Sequence, residues 1–367
     1  MNSNVTSPSS PGLNAVLKAL PHARLVGGCV RDTLAARPIA DIDLATPDPP
    51  EDVIKALAAA GLRSIPTGLA HGTVTALAHG ESFEITTLRR DVETDGRHAV
   101  VAFTDDWRED ASRRDFTINA MSMTPDGHVF DYFGGIDDLK AGLVRFVGHA
   151  ATRIAEDYLR ILRYFRFYAR YGTAGPDAEA LTAITNAVPG LAGLSGERVW
   201  SELQRILAAH TPDSSLKLMA ETGVLTAILP QALLAPVNDL PADPILRLAA
   251  LLPPGLPNLK FSGAEAERLL AVQGPPPPND ATEDDLRRAL ADTSFDILIG
   301  RVWLAGGNEA LRARIAAIPE PIFPVQGRDL QALGVQPGPE MGQKLRHLRK
   351  IWLESGCHLS REDLLNL

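Results

Sequence analysis

Two aspartates separated by one apolar residue are the first chemistry this sequence offers. In Asp41-Ile42-Asp43-Leu44-Ala45, a strand would project both carboxylates from one face while Ile42 and Leu44 enter a core. Like charges side by side repel, and a bound cation is the usual remedy. Oxygen-only ligands suit Mg2+, which can bridge the carboxylates to nucleotide phosphates and, as a metal pair, flank an in-line displacement. Just upstream, Leu25-Val26-Gly27-Gly28-Cys29-Val30-Arg31-Asp32 reads as an apolar strand, a Gly-Gly turn and the start of a helix running through Ala36. A helix N-terminus leaves backbone N–H groups free to hold a phosphate, with Arg31 one turn away to pair with it. An isolated Asp-x-Asp is more often a solvated strand end, and an isolated Gly-Gly turn is common. Their succession within one short segment points to phosphoryl chemistry.

The elements that must position these groups follow from periodicity. Residues 12–147 read as a mixed α/β unit, with a helix at 12–20 and strands at 23–26, 41–45, 73–78, 82–88 and 99–103. From Arg153 onward the apolar spacing is helical and no stretch has convincing strand alternation. Gly274-Pro275-Pro276-Pro277-Pro278 cannot be helix interior and marks a loop. The first eleven residues, rich in Ser, Asn and Pro, are expected to be disordered, and they lack the charged start and apolar core of a signal peptide. No apolar run approaches the roughly 18 residues of a membrane span. Cys29 and Cys357 lie far apart and offer neither a disulfide framework nor a zinc set, which fits a reducing cytoplasm.

The net charge of −9 argues against non-specific coating of nucleic acid, which rests on many phosphate-neutralising contacts. A local basic face remains open. Of the 36 basic residues 29 are Arg, whose planar fork suits phosphates and base edges, and eight of these lie between Arg145 and Arg205 with no Lys.

Gly27-Gly28-Cys29-Val30-Arg31-Asp32 followed by Asp41-Ile42-Asp43 resembles the signature of the nucleotidyltransferase superfamily related to DNA polymerase β. Arg113-Arg114-Asp115-Phe116-Thr117-Ile118-Asn119-Ala120-Met121 and Glu156-Asp157-Tyr158-Leu159-Arg160-Ile161-Leu162-Arg163 resemble two further motifs of the bacterial tRNA nucleotidyltransferase and poly(A) polymerase family. The matches occur in family order and cover roughly residues 20–210. The resemblance implies an α+β fold: a polymerase-β-like head with a mixed sheet at 12–147, a helical neck at 148–215, and a helical body and tail at 216–367. It implies that Asp41 and Asp43 hold Mg2+, that Gly28, Arg31 and Arg114 contact the incoming nucleotide, and that CTP, ATP and tRNA are the partners. The third carboxylate is Glu84, beside the Asp pair if the strands are neighbours, or Asp115, which is alternatively structural and bonded to backbone or Arg31.

A polymerase without a template must read the incoming base with side chains. Residues three apart on a helix are neighbours, so Asp157 and Arg160 would present an acceptor and a donor side by side. Cytosine and adenine both show an amino donor next to a ring-nitrogen acceptor and match that pair. Guanine and uracil show the reverse and would leave buried groups unpaired at about 1–3 kcal/mol each. Arg163 and Arg166 follow on the same helix by steps of three and are assigned to nucleotide binding by the resemblance. The bland alternative is an amphipathic helix whose arginines snorkel over Tyr158, Leu162, Phe165 and Tyr168.

The charged run from Arg89 to His98 resembles the flexible loop of full CCA-adding members, or is a solvated hairpin excursion. Ser195 has the pattern of a helix cap before a neck helix to Leu207, on which Arg198 and Arg205 either line the RNA side or pair with Glu197 and Glu202. Helices flanking Gly334–Gly342, followed by Lys344, Arg346, His347, Arg349 and Lys350, form either a tRNA-backbone grip or a structural hairpin. The nearest rival function is a poly(A) polymerase of the same family. A small-molecule nucleotidyltransferase would not need the Arg163 and Arg198 regions, and a non-catalytic RNA-binding relative would have no use for paired metal ligands.

Overall fold

The computed structural model describes residues 5–94 and 99–367. The chain divides into two compact units, Met1–Pro230 and Gln231–Leu367. The expected boundaries after residues 147 and 215 both fall inside the first unit.

In that unit α1 (Pro11–Ala19), β1 (Arg24–Val26), α2 (Gly28–Leu34), β2 (Asp43–Thr46), α3 (Pro50–Ala59), β3 (Arg63–Gly68), β4 (Thr73–Ala78) and β5 (Glu81–Thr87) come first. A ribbon, β6 (Arg89–Thr94) and β7 (Ala99–Phe103), precedes α4 (Trp107–Ser112), β8 (Ser122–Met123), β9 (Val129–Phe130) and α5 (Gly135–Ala141). Helices follow: α6 (Ala150–Glu156), α7 (Leu159–Tyr171), α8 (Ala178–Ala187), α9 (Gly196–Leu207), α10 (Asp213–Glu221) and α11 (Val224–Ile228). Among the described residues the main sheet has seven strands in the order β3-β4-β5-β2-β1-β8-β9. It is mixed: β2 and β5 run parallel and the other neighbours antiparallel. Its core is built by Leu13, Val16, Leu25, Val30, Leu44, Val53, Leu57, Val74, Phe83 and Ile85 from α1, α2, α3 and the inward faces of the strands. The fold is α+β, and every helix or strand assigned after residue 145 among the described residues is helical.

Several boundaries differ from the sequence reading for physical reasons. β2 starts at Asp43, so Asp41 lies just before the strand rather than on it. β3 holds Pro66 and alternates poorly, as an edge strand can, because its outer N–H groups need no partner. The charged run, read as a flexible loop or a hairpin excursion, begins as β6, since a ribbon outside the main sheet needs only backbone pairing with β7; Asp95–His98 lie outside the described residues. Of the terminal segment expected to be disordered, residues 1–4 also lie outside them. Val5 N–H bonds the carbonyl of Gly127, and Ser10 caps α1 through Leu13 N–H while its hydroxyl donates to Glu81.

The second unit is formed by α12 (Pro244–Leu251), α13 (Gly263–Val272), α14 (Glu283–Asp292), α15 (Phe295–Leu304), α16 (Glu309–Ala316), α17 (Gly327–Ala332), α18 (Pro339–Glu354) and α19 (Arg361–Leu365). Leu286, Leu290, Leu298, Leu311 and Ile315 form one of its cores, and Val325, Leu330, Leu348, Trp352 and Leu364 another. On the basic helix α18, Lys344 pairs with Glu340, Lys350 with Glu354, and Arg349 with Asp292 on α14. Among the described residues no helix is long and apolar enough to cross a membrane.

Candidate active site

A pocket of about 550 Å³ in the first unit is lined by Gly27, Gly28, Arg31, Asp43, Arg114, Asp115, Asn119, Asp157, Leu159, Arg160, Arg163, Arg166, Phe167 and Arg198. It joins the end of β1, the start of β2, the loop after α4 and one face of α7 and α9. Asp41 and Glu84 are not part of this lining.

Gly27 turns the chain from β1 into α2 with φ +68°, a left-handed conformation that side chains other than glycine rarely take. A Cβ there would also stand 2.9 Å from Arg114 Nη1, so the guanidinium lies across the turn. Arg31, buried in α2, donates through Nε and Nη2 to Asp32 (3.1 and 2.9 Å) and through Nη1 to Asn119 Oδ1 (2.6 Å). Its charge sits over the rings of Phe167 and Tyr171, and the Tyr171 hydroxyl donates to Asp32. The arginine is thus fixed from three sides before any ligand arrives.

The carboxylates are arranged differently. Parallel pairing puts Asp43 in register with Glu84 on β5, confirming the strands as neighbours. Asp41, Asp43 and Glu84 are exposed, and none of their carboxylates has a hydrogen bond or ion pair among the described residues. The Asp43 carboxyl is pushed up from its ordinary value by the protein mass around it, then by repulsion from Glu84 and more weakly from Asp41, with Arg114 acting in the opposite sense. Among the described residues no three His, Cys, Asp or Glu side chains form a ready-made metal cage. A hard divalent ion held by one or two carboxylates and completed by substrate phosphates needs none, and the oxygen-only, mutually repelling set fits it. Asp115 plays another part. It is buried, and although burial opposes ionisation, Arg163, Asn119 and the Phe116 N–H hold its carboxyl below the usual range. Asp115 meets backbone and Arg163, and reaches Arg31 only through Asn119.

The helical wall departs most from expectation. Asp157 and Arg160 are not side by side on one helix, because Asp157 ends α6 in an extended conformation (φ −158°, ψ 108°). Its Oδ1 accepts from Leu159 N–H at the start of α7 (3.0 Å) and its Oδ2 from Arg198 Nη2 (2.7 Å). Short acidic side chains favour such breaks because they offer the backbone an alternative acceptor. Arg160 bonds Glu156 and the carbonyl of Arg153. Arg163 pairs with Asp115, and Arg166 with Glu202 at 2.6 Å. Tyr158 is exposed, whereas Leu162, Phe165 and Tyr168 are buried as the amphipathic reading required. The face carrying the arginines lines the pocket all the same.

Asn119 and Phe167 were not singled out by sequence, and Glu202 only as an ion-pair partner within its own helix, where it does meet Arg205 at 3.5 Å. Asn119 lies inside the Arg113–Met121 motif, but nothing in its type says that it bridges Arg31 and Asp115. Glu202 is only 3% exposed and also faces Arg163 and Arg166, a placement legible only once α7 and α9 are packed.

Residues 23–145 match the family model described as the Poly A polymerase head domain, and residues 176–234 that described as the probable RNA and SrmB-binding site of polymerase A. The chain is 39% identical over 383 residues to CCA tRNA nucleotidyltransferase 1, mitochondrial, of Danio rerio, spanning 94% of this chain and 86% of that protein. This chain belongs to the tRNA nucleotidyltransferase and poly(A) polymerase family. Within the family it is also 39% identical over 370 residues to the Homo sapiens protein of the same name, covering 94% and 85% of the two chains. Among solved structures it is similar to the Bacillus stearothermophilus CCA-adding enzyme in complex with CTP, with a TM-score of 0.74, 28% identity, and 95% and 94% of the chains covered. Members of this family generally depend on a divalent metal.

Proposed function

We propose that this protein adds CCA to the 3′ end of tRNA from CTP and ATP, by nucleotidyl transfer with release of pyrophosphate. The observation that carries this reading is the meeting, in one pocket, of the glycine turn, Asp43 and a wall of arginines each held by its own carboxylate. Relatives that match nearly the whole chain are named for the same activity. Mg2+ would be held by Asp41 and Asp43, with Glu84 adjacent, and would supply charge neutralisation at the reacting phosphates. Gly28 N–H, Arg31 and Arg114 bind the triphosphate. The primer 3′-oxygen forms a bond to the α-phosphorus, the α–β anhydride bond breaks, and pyrophosphate leaves. The hydroxyl proton passes to a neighbouring carboxylate, for which Glu84 is favoured by its register with Asp43.

Asp157, Arg160, Arg163 and Arg166 line the place for the base and triphosphate. Since Asp157 meets Arg198 in the free protein, reading cytosine or adenine requires its Oδ2 to exchange that guanidinium for the base amino group. The cytoplasm is the proposed compartment, on the evidence of two free cysteines.

Purified protein and Mg2+ are incubated with a tRNA transcript lacking its last three nucleotides, offered CTP alone, ATP alone and both. Addition of CC with CTP and of CCA with both is expected. A long adenine ladder would support instead the poly(A) polymerase activity for which the head-domain family is named.

A further inference from the structure

Asp110 on α4 is 3% exposed and belongs to none of the motifs described above. Its Oδ1 accepts from Arg113 Nε (2.9 Å), from Arg113 Nη2 (2.8 Å) and from the backbone N–H of Arg89 at the root of β6 (3.3 Å). Its Oδ2 accepts from Arg114 Nη2 (3.3 Å). Burial opposes its ionisation, but the charges of Arg114 and Arg113 prevail and hold the carboxyl below the usual range. Arg113 is absent from the pocket lining, so its role is to complete the shell around Asp110. Arg114 does line the pocket, with its Nη1 across the Gly27 turn.

Arg114 therefore stands between two anions. One is Asp110, buried and bonded. The other is Asp43, exposed, without a partner, and close enough for the two charges to attract. A long cationic side chain released from the first would be drawn to the second, whose attraction it already feels. That collapse would spend one guanidinium and one carboxylate of the site on each other.

We propose that Asp110 is a positioning residue for the nucleotide site: it holds Arg114 over the Gly27-Gly28 turn and off Asp43, leaving the guanidinium for the triphosphate. The same carboxylate ties that arginine to the root of the β6–β7 ribbon. The inference rests on the reading of Arg114 as a triphosphate contact.

The test is the dissociation constant of CTP, measured calorimetrically without tRNA so that no turnover occurs, in the wild type, Asp110→Asn, Arg114→Ala and the double variant. Asp110→Asn is expected to weaken CTP binding by about tenfold, and the double variant to bind no worse than Arg114→Ala, since residues acting through one another are not additive. In the full reaction, Asp110→Asn raises KM for CTP while kcat at saturation stays within about threefold, the pattern of lost uniform binding. Equal losses in both backgrounds, or wild-type affinity in Asp110→Asn, would overturn the inference. An Arg114→Ala variant that binds CTP normally would remove the underlying reading as well. If Asp110→Asn loses its cooperative melting transition, Asp110→Glu decides. Its extra methylene must displace Arg114, so weaker binding confined to the Arg114 background supports the anchor, and unchanged binding refutes it.

Discussion

The carboxylate ledge, of which Asp43 alone lines the pocket, and the arginine wall opposite are prepared in opposite ways. Asp41, Asp43 and Glu84 stand exposed without partners among the described residues, and Asp43 is repelled by the other two. Arg160, Arg163, Arg166 and Arg198 are each paired in advance, with Glu156, Asp115, Glu202 and Asp157. A ledge of unpaired like charges stores a demand for a cation, which in the proposed reaction a metal arriving with the nucleotide would meet. A wall of paired charges has fixed geometry and little surplus attraction, so it discriminates between ligands better than it gathers them.

The largest effect expected from this contrast is on the ledge. Asp43→Asn should lower turnover by at least about 10³-fold, about 4 kcal/mol of barrier, yet leave the melting temperature unchanged or raised, because it relieves repulsion. A drop in both would mean that Asp43 is part of the folded framework and would erase the distinction. On the wall the reverse holds. Asp115→Asn deprives the half-buried Arg163 of its nearest counter-charge, leaving Glu202 at 4.0 Å, and should cost about 1–3 kcal/mol of stability, read by urea denaturation. Because the Asp115 carboxyl is held below its ordinary value of 3.8, its contribution is present in full above that value and lost as pH falls through the folded value. The gap between wild type and variant should therefore be constant from neutrality down to about pH 5 and close below 3.8. A gap that widens in acid would refute the assignment.

Selectivity should move next. Asp157→Ala is expected to reduce discrimination against GTP and UTP by about tenfold or more, the equivalent of the 1–3 kcal/mol for an unpaired buried group, measured by single-nucleotide addition; unchanged selectivity would sink the base-reading role. The smallest effect belongs to a cation outside both regions. Arg349→Ala removes a surface pair with Asp292 and should cost about 1 kcal/mol or less in thermal denaturation. A larger loss of stability would place Arg349 among the cations that hold the helices together.

How much of this was legible beforehand follows the range of the interactions concerned. The Gly27-Gly28 turn, the helix after it and the carboxylate at position 43 come from local pattern, and the sequence places them within a residue or two. The cap at Ser195 is equally local and is found where its motif lies, accepting from Arg198 N–H. The partners of the arginines are not local. Nothing in the spacing of Arg163 names Asp115, 48 residues earlier, or sends Arg166 to Glu202 on another helix. The helical periodicity around Asp157 even suggested the wrong neighbour, because a side chain that competes for backbone N–H groups breaks the register that the periodicity assumes. Charged β6 was left between a loop and a hairpin for a related reason: hydropathy reports burial, and backbone pairing does not require it.

The break at Asp157 has one more consequence. Without it a single helix would run from Ala150 to Tyr171; with it, one oxygen of the carboxylate is committed to the first N–H of α7 and only the other faces Arg198. The group cannot spin about its last bond without giving up the helix start. Glutamate would keep the charge but not the short tether, so it would either cap the helix or meet the base. The position asks for a length of side chain as much as for a charge, and under the proposed base-reading role the local fold of the chain would become part of how a base is told from its competitors.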